Sequence, residues 1–430
     1  MTYPLKHKIR LQLQIGEPDA FILSQTLLNN ASKGVAGLED FNLNTNAILD
    51  QDQLDGGKFF WLNVLNDTST ISINRGMSIG QGGQPYPQAG TLYAQIDNPT
   101  VDPMNSIQFR PNIKVRFQTY FQGDWRNVFL GRLREIDSQY TVTGQVIVTL
   151  EATDMIDELN QCVIDNFAVP VENTGERINR ILDEVNINKD LIPETSYHAF
   201  EMQAEELNQN ALDACLDAVT HEMGSLFVTR NNKLQFLNYG DTNTPYVANP
   251  IFTNGDITTD NQITLTGIQM SSGKELFFNK AIGVTENDPN IYVKQGSISV
   301  QRYGLHSYEN RAMKFDVPVD LDQNNNPIPE AGIGQTKVFA WLDKFLARWA
   351  DTPLEITYTG TRRYPKSVSV INRADDLRYP IVAEIGDEVT VNFETDYVDI
   401  TQDSMVLGIS HDIDVDRWVS TIDLVPIPNN

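Results

Sequence analysis

Thr91-Leu92-Tyr93-Ala94-Gln95-Ile96 alternates with period two, and Asp97-Asn98-Pro99 ends the run. Period two puts Leu92, Ala94 and Ile96 on one face, so the stretch predicts a half-buried strand. Proline has no backbone N–H to continue a ladder, so the strand stops there. Upstream, Lys8-Ile9-Arg10-Leu11-Gln12-Leu13-Gln14-Ile15 repeats the alternation, and Ile113-Lys114-Val115-Arg116-Phe117 does so downstream. Gln51 to Lys58 is polar and reads as a loop before Phe59-Phe60-Trp61-Leu62. Ile71-Ser72-Ile73 leads to Arg75-Gly76. Gly80 to Gly90, rich in Gly and Pro, reads as a long loop. Asp124-Trp125 marks a turn before Val128-Phe129-Leu130-Gly131-Arg132-Leu133. Val142 to Leu150 closes the set, with Val146, Val148 and Leu150 on one face. Short strands separated by turn residues predict an antiparallel barrel or sandwich over residues 1–165.

Residues 166–245 change character and read as a small α+β domain. Ile178, Ile181, Leu182 and Val185 have the spacing of an amphipathic helix, and Asn173 with Glu176 matches a capping box. Leu212, Cys215, Leu216, Val219 and Met223 repeat the pattern, with Gly224 in the C′ position. Leu226-Phe227-Val228, Asn231-Asn232 and Leu234-Gln235-Phe236-Leu237 then read as a hairpin. Residues 246–430 return to strands and form a second β-rich domain. A helical segment is embedded at about 334–350, where Val338, Trp341, Leu342, Phe345 and Trp349 share one side as core. Gly386-Asp387 turns into a strand, and Val406–Val415 with Trp418–Leu424 makes a closing hairpin. The expected fold class is mainly β with an α+β insert: multi-domain, with two barrel-like antiparallel β domains and smaller mixed α/β domains.

The chain has 430 residues, 57 acidic and 32 basic, and a formal net charge of −25. The surplus is spread along the chain. Such a surface repels phosphate, which argues against sequence-specific nucleic-acid binding. No apolar run approaches the ~18 residues that cross a bilayer, and the first residues lack the apolar core of a signal peptide. No membrane insertion is expected. Cys162 and Cys215 cannot build a disulfide framework and read as buried free thiols.

The search for chemistry names no catalytic, cofactor-binding or metal-binding residue. His7, His198, His221, His306 and His411 stand in no short ligand spacing, and Ser225 occupies the place where a second histidine after His221-Glu222 would be needed. There is no phosphate loop or dinucleotide fingerprint. Gly80-Gln81-Gly82-Gly83 lacks the lysine of a phosphate loop. Asp320-Leu321-Asp322-Gln323-Asn324-Asn325-Asn326 has alternating oxygen ligands, but Asn325 stands where a cation loop needs glycine, so it reads as a polar hairpin tip. Asp412, Asp414 and Asp416 alternate with Ile413 and Val415 and share one wet strand face. A lumenal wall or a cation site are the alternatives to plain surface there. Trp61, Trp125 and Tyr86 would be the platforms if the chain bound sugars; core or turn packing is the simpler reading.

The order of segments resembles a known family. Ile73-Asn74-Arg75-Gly76 followed by Ala89-Gly90-Thr91-Leu92-Tyr93-Ala94-Gln95-Ile96-Asp97-Asn98 resembles the opening of minor tail proteins from long-tailed phages. Asp102-Pro103-Met104-Asn105-Ser106, Arg110 to Arg116, Val128 to Leu133 and Val148 to Asp154 continue the series. Glu176 to Asp183 resembles the helix that follows. Glu222-Met223-Gly224-Ser225-Leu226-Phe227-Val228 with Lys233-Leu234-Gln235-Phe236 resembles the family's hairpin. Gly386-Asp387-Glu388-Val389, Val406 to His411 and Trp418 complete it. The likeness spans roughly residues 70–425.

This resemblance implies a structural virion protein of the tail tip, similar to the hub of contractile-tail baseplates. Such a protein would be a homo-trimer in which two β domains per chain give six positions around an axis. It would meet the distal tail protein, the tape measure protein and the central tail fibre, without cofactor or catalysis. DNA would cross its lumen, and the acidic charge would keep that wall from binding phosphate. Assembly would take place in the host cytoplasm. A distal tail ring or a host-surface-binding module is the alternative, and a tail-associated cell-wall hydrolase a further one.

Overall fold

The computed structural model describes residues 8–16, 59–65, 70–79, 85–104, 109–187, 201–238, 241–273, 277–286, 288–317, 319–321, 327–329, 332–349, 362–373, 377–396, 399–414 and 417–427. The first block contains β1 (Ile9–Gly16), β2 (Phe59–Asn63), β3 (Thr70–Ile79), β4 (Pro85–Ile96), β5 (Lys114–Phe121), β6 (Asp124–Tyr140) and β7 (Val146–Thr153). Next come α1 (Met155–Gln161), β8 (Phe167–Val169), β9 (Glu172–Asn173), α2 (Thr174–Glu184), β10 (Glu201–Met202), β11 (Glu205–Leu207), α3 (Ala211–Glu222), β12 (Ser225–Val228) and β13 (Leu234–Leu237). The last stretch holds β14 (Ile251–Thr253), β15 (Gln262–Thr264), β16 (Gly267–Gly273), β17 (Lys280–Thr285), β18 (Asp288–Gln295), α4 (Ser297–Tyr303), β19 (Ser307–Met313), β20 (Val319–Leu321), β21 (Pro327–Pro329), α5 (Ile333–Trp349), β22 (Arg362–Asn372), β23 (Glu388–Glu394), β24 (Asp399–Ile413) and β25 (Trp418–Pro426).

The chain is mainly β. Among the described residues, fourteen strands form one sheet that curls into a half-barrel. Its path runs β15-β14-β23-β24-β3-β4-β7-β6-β5-β1-β2, with β25, β22 and β16 branching from β24. The two β-rich blocks meet where β24 pairs antiparallel with β3, from Ile413↔Ile71 to Gly408↔Gly76. At that last pair a Cβ on Gly76 would stand 2.6 Å from the Gly408 Cα. Only glycine lets the two backbones approach so closely.

The alternation in the sequence sets the inward faces. Leu11 and Leu13 of β1, Val115 and Phe117 of β5, and Leu92 and Ala94 of β4 are buried together with Val406, Ile409 and Ile422. The Phe117 and Trp418 rings meet edge-on at 6.0 Å, so one core serves both blocks. Val338, Trp341, Leu342 and Phe345 of α5 join the same core; the side chain of Trp349 lies outside the described residues. A second core holds Ile178, Ile181 and Leu182 of α2, Leu212, Cys215 and Val219 of α3, and Leu226 and Phe236 of the β12–β13 hairpin. The capping box forms as read: the Asn173 N–H donates to Glu176 Oε2 at 3.0 Å.

Four local expectations change. Gly80 to Gly90 is not all loop, because β4 starts at Pro85. Among the described strands, residues 85–88 pair with β3 alone, and on such a free edge two prolines cost no ladder bond. The turn before β6 is Gln122-Gly123, both at positive φ, and Asp124-Trp125 begins the strand. Strand β7 starts at Val146, while Val142 stands exposed in the preceding turn. Helix α3 ends with Met223, not Gly224, in the left-handed region. Gly224 is needed for space: a Cβ there would lie 2.5 Å from the Phe236 ring and 2.6 Å from the Leu237 carbonyl oxygen.

Candidate assembly surface and buried polar clusters

The singled-out polar residues divide into buried anchors and outward faces. His411 of β24 is buried, and burial with the nearby Arg75 charge lowers its pKa to about 3. The Trp418 indole N–H donates to His411 Nδ1 at 3.2 Å, which makes Nδ1 an acceptor and puts the ring proton on Nε2. Ser420 Oγ sits 2.7 Å from the same Nδ1 and accepts from Asn372 Nδ2 at 2.6 Å. A serine beside a histidine is the geometry of an activated nucleophile. Here both side chains are buried, and the indole already occupies the nitrogen that would take the proton. The cluster holds β22, β24 and β25 together. No spacing rule finds it, because Asn372 comes from a distant strand.

His221, at the end of α3, packs on Phe315 with ring centroids 4.2 Å apart, and burial lowers its pKa to about 3. Its carbonyl accepts from the Trp341 indole at 3.1 Å, which fastens α5 to the insert. His306 stacks edge-on with Phe277. His7 and His198 lie outside the described residues. Cys215 is buried, and burial raises its thiol pKa; Cys162 is half-buried. Among the described residues, no three His, Cys, Asp or Glu side chains gather as metal ligands.

Two ion clusters brace the architecture. In the insert, the buried Arg177 binds Glu172 through Nε at 2.8 Å and Glu205 through Nη1 at 2.7 Å. Lys314 Nζ bridges Glu205 and Asp217 at 2.8 and 2.9 Å. Between the blocks, Arg75 of β3 meets Glu384 ahead of β23. Close by, Asp154 caps α1: its Oδ1 accepts from the Ile156 N–H and its Oδ2 from the Gly90 N–H, at 3.0 and 2.8 Å. Burial raises its pKa to about 7, and those two bonds and Arg75 offset part of that rise.

The outward faces hold the other candidates. Asp412 and Asp414 are exposed beside Ser72 and Tyr93, and Ser72 Oγ donates to Asp412 Oδ1 at 3.0 Å. Asp416 lies outside the described residues, as do the side chains of 320–326 and the loop at Gly80-Gly83. Tyr86 is exposed on β4. Trp61 and Trp125 are covered by arginines: Arg116 lies over Trp61 at 3.9 Å and Arg10 over Trp125 at 4.1 Å. A guanidinium on each indole uses one face of the platform a sugar would need.

No family model and no curated protein matches the sequence. The fold does match solved structures. The 43 kDa tail protein of prophage MuSo2 from Shewanella oneidensis aligns with a TM-score of 0.52 at 10% identity, covering 87% of this chain and 98% of that one. The tail protein from Neisseria meningitidis MC58 aligns with a TM-score of 0.53 at 11% identity, covering 86% of this chain and 94% of that one. At such identities the likeness is one of fold. Over most of its length, this chain has the fold of these two tail proteins.

Proposed function

We propose that the chain is a structural protein of a phage tail, and within it a tail-tip hub that closes the end of the tail tube. One observation carries this reading. The fold correspondence covers 98% and 94% of two tail proteins, not a detachable module of them. In this reading three copies form a ring, with two β-rich blocks per chain supplying six positions. The hub joins the distal tail ring and tape measure protein to a central fibre. Its work is done by protein interfaces, without catalysis.

The acidic surplus supports a role for the lumen. A wall carrying Asp412 and Asp414 toward the axis repels passing DNA and offers it no sticky site. Gold-labelled antibody on intact particles tests the placement: label at the tail tip supports the hub, and label along the shaft or absent from the particle overturns it. A zymogram on host cell walls tests the absence of catalysis. A lytic band overturns that part.

A further inference from the structure

The outward face around β1 and β5 carries four cations, Lys8, Arg10, Lys114 and Arg116, in a chain of net charge −25. Pairing sets Arg10 opposite Gln118 and Arg116 opposite Gln12. Arg10 Nε donates to Gln118 Oε1 at 2.6 Å, and Arg116 Nε donates to Gln12 Oε1 at 2.8 Å. Gln118 passes the chain to Asn127 at 2.7 Å, and Asn127 to Asn231 at 2.9 Å. Every acceptor in this ladder is a neutral amide. Neighbouring arginines do find acids: Arg126 with Asp124, Arg132 with Glu158, Arg134 with Glu151. Among the described residues none of the four cations has a carboxylate partner. The Trp61 and Trp125 stacks and the Nε bonds hold each guanidinium still. The Nη donors of both have no acceptor among the described residues. Like charges this close repel, and burial and the Arg10 charge lower the pKa of Arg116, so an added carboxylate would stabilise the arrangement.

The same sheet carries the complement. Cross-strand pairing sets Tyr93 beside Glu151 and Glu151 beside Glu135, with Asp137 opposite Thr149. Glu135 and Asp137 are exposed, and among the described residues neither has a cation partner. Arg116 pairs with Leu130 of β6, five residues before Glu135, so the two patches stand about 16 Å apart along the strand. A bulge at Leu133/Glu135 bends β6 between them. Among the described residues, therefore, no acid of the same subunit satisfies these arginines.

We propose that the Arg10–Arg116 face docks on the Glu135–Asp137–Glu151 face of a second copy of this chain. Two different patches meeting in this way make a head-to-tail contact, which closes a ring when the rotation permits. The inference rests on the ring-forming tail-tip reading above and names its contact.

Charge exchange with light scattering tests it. The wild-type mass should exceed one chain at low salt and fall toward one chain at high salt. Arg10→Glu with Arg116→Glu should give single chains, as should Glu135→Lys with Asp137→Lys. All four substitutions together should restore association. Circular dichroism matching wild type shows that each variant is folded. A wild-type protein that stays a single chain at every salt overturns the proposal. So do variants that keep the wild-type mass, or a fourfold variant that stays single. Binding of duplex DNA by the wild type, lost in the arginine variant, would assign the face to phosphate and also overturn it. None of these results moves the gold label on the particle, so the tail-tip reading stands or falls separately.

Discussion

Arg75 Nη1 lies 2.8 Å from Glu384 Oε1, and this pair, with Arg75 buried and Glu384 half-buried, joins β3 to the segment ahead of β23 across 309 residues. The same carboxylate accepts from the backbone N–H of Arg230 through Oε2 at 2.9 Å. One acid thus ties the first β block, the β12–β13 turn and the last block. Stranding a fully buried charge costs about 3–5 kcal/mol, but Glu384 keeps Arg230 Nε at 3.9 Å, so losing Arg75 should cost about 1–3 kcal/mol. Arg75→Met should lower the stability measured by urea unfolding by that order. Adding Glu384→Leu should recover part of the loss, because the stranded charge disappears. A loss under about 1 kcal/mol, the scale of exposed pairs, would mean that water screens the site.

Gly76→Ala should act at the same seam. The new Cβ would meet the Gly408 Cα at 2.6 Å and the Leu407 carbonyl oxygen at 2.9 Å, and neither backbone atom can rotate away. Forcing strands apart costs about 1–3 kcal/mol or more. Amide hydrogen exchange should show faster exchange at β3 and β24 than at β5. Unchanged protection at Ile73 and Ile409 would show that the sheet absorbs a methyl there.

The contrast between these two sites and the strands they join shows what the sequence makes legible. Period two reports one face of one strand, so β1, the second half of β4 and β5 could be read directly, and period 3.6 likewise gave α2, α3 and α5. The closeness of Gly76 to Gly408 belongs to pairing across 332 residues, which no local pattern encodes. Pro85 and Pro87 misled for a physical reason: proline signals a break unless the strand has a free edge, and edges are decided by topology. The surface ladder was hidden in the same way. Arg10 and Arg116 were visible as outward positions, but only folding stacks them on Trp125 and Trp61. The fold class and the tail-protein likeness were open to sequence reading. The docking face was not.

The two thiols should differ in reactivity. Cys215 is fully enclosed in the second core, where burial raises its pKa, whereas Cys162 is half-buried after α1. The thiolate is the reacting species, so a neutral buried thiol is inert. A maleimide reagent should modify Cys162 in the folded protein and Cys215 only after unfolding. Rapid native labelling of Cys215 would show that the insert opens more readily than its packing implies.

Asp387 gives a pH dependence with a definite sign. Its Oδ2 accepts from the Tyr379 hydroxyl at 2.7 Å and from the Glu384 N–H at 2.9 Å. Burial outweighs both bonds and raises its pKa to about 7. An unfolded aspartate titrates near ~3.9, so between about pH 4 and 7 the folded chain holds a proton that the unfolded chain has released. Stability from this group is therefore lost as pH rises through that window, and it is level above it. The buried His411 and His221, lowered to about 3, work in the opposite direction. The unfolded imidazoles bind protons below about pH 6.5 that the fold excludes, so their contribution grows with pH. The opposing terms flatten the wild-type curve. Asp387→Asn keeps an acceptor for both donors and removes one titration. The stability of the wild type relative to this variant should fall by about 1.4 kcal/mol per pH unit across the window. Urea unfolding at half-unit steps reads the difference directly. A flat difference would mean that Asp387 ionises in the fold at its ordinary value, and that water reaches the Tyr379 hydroxyl.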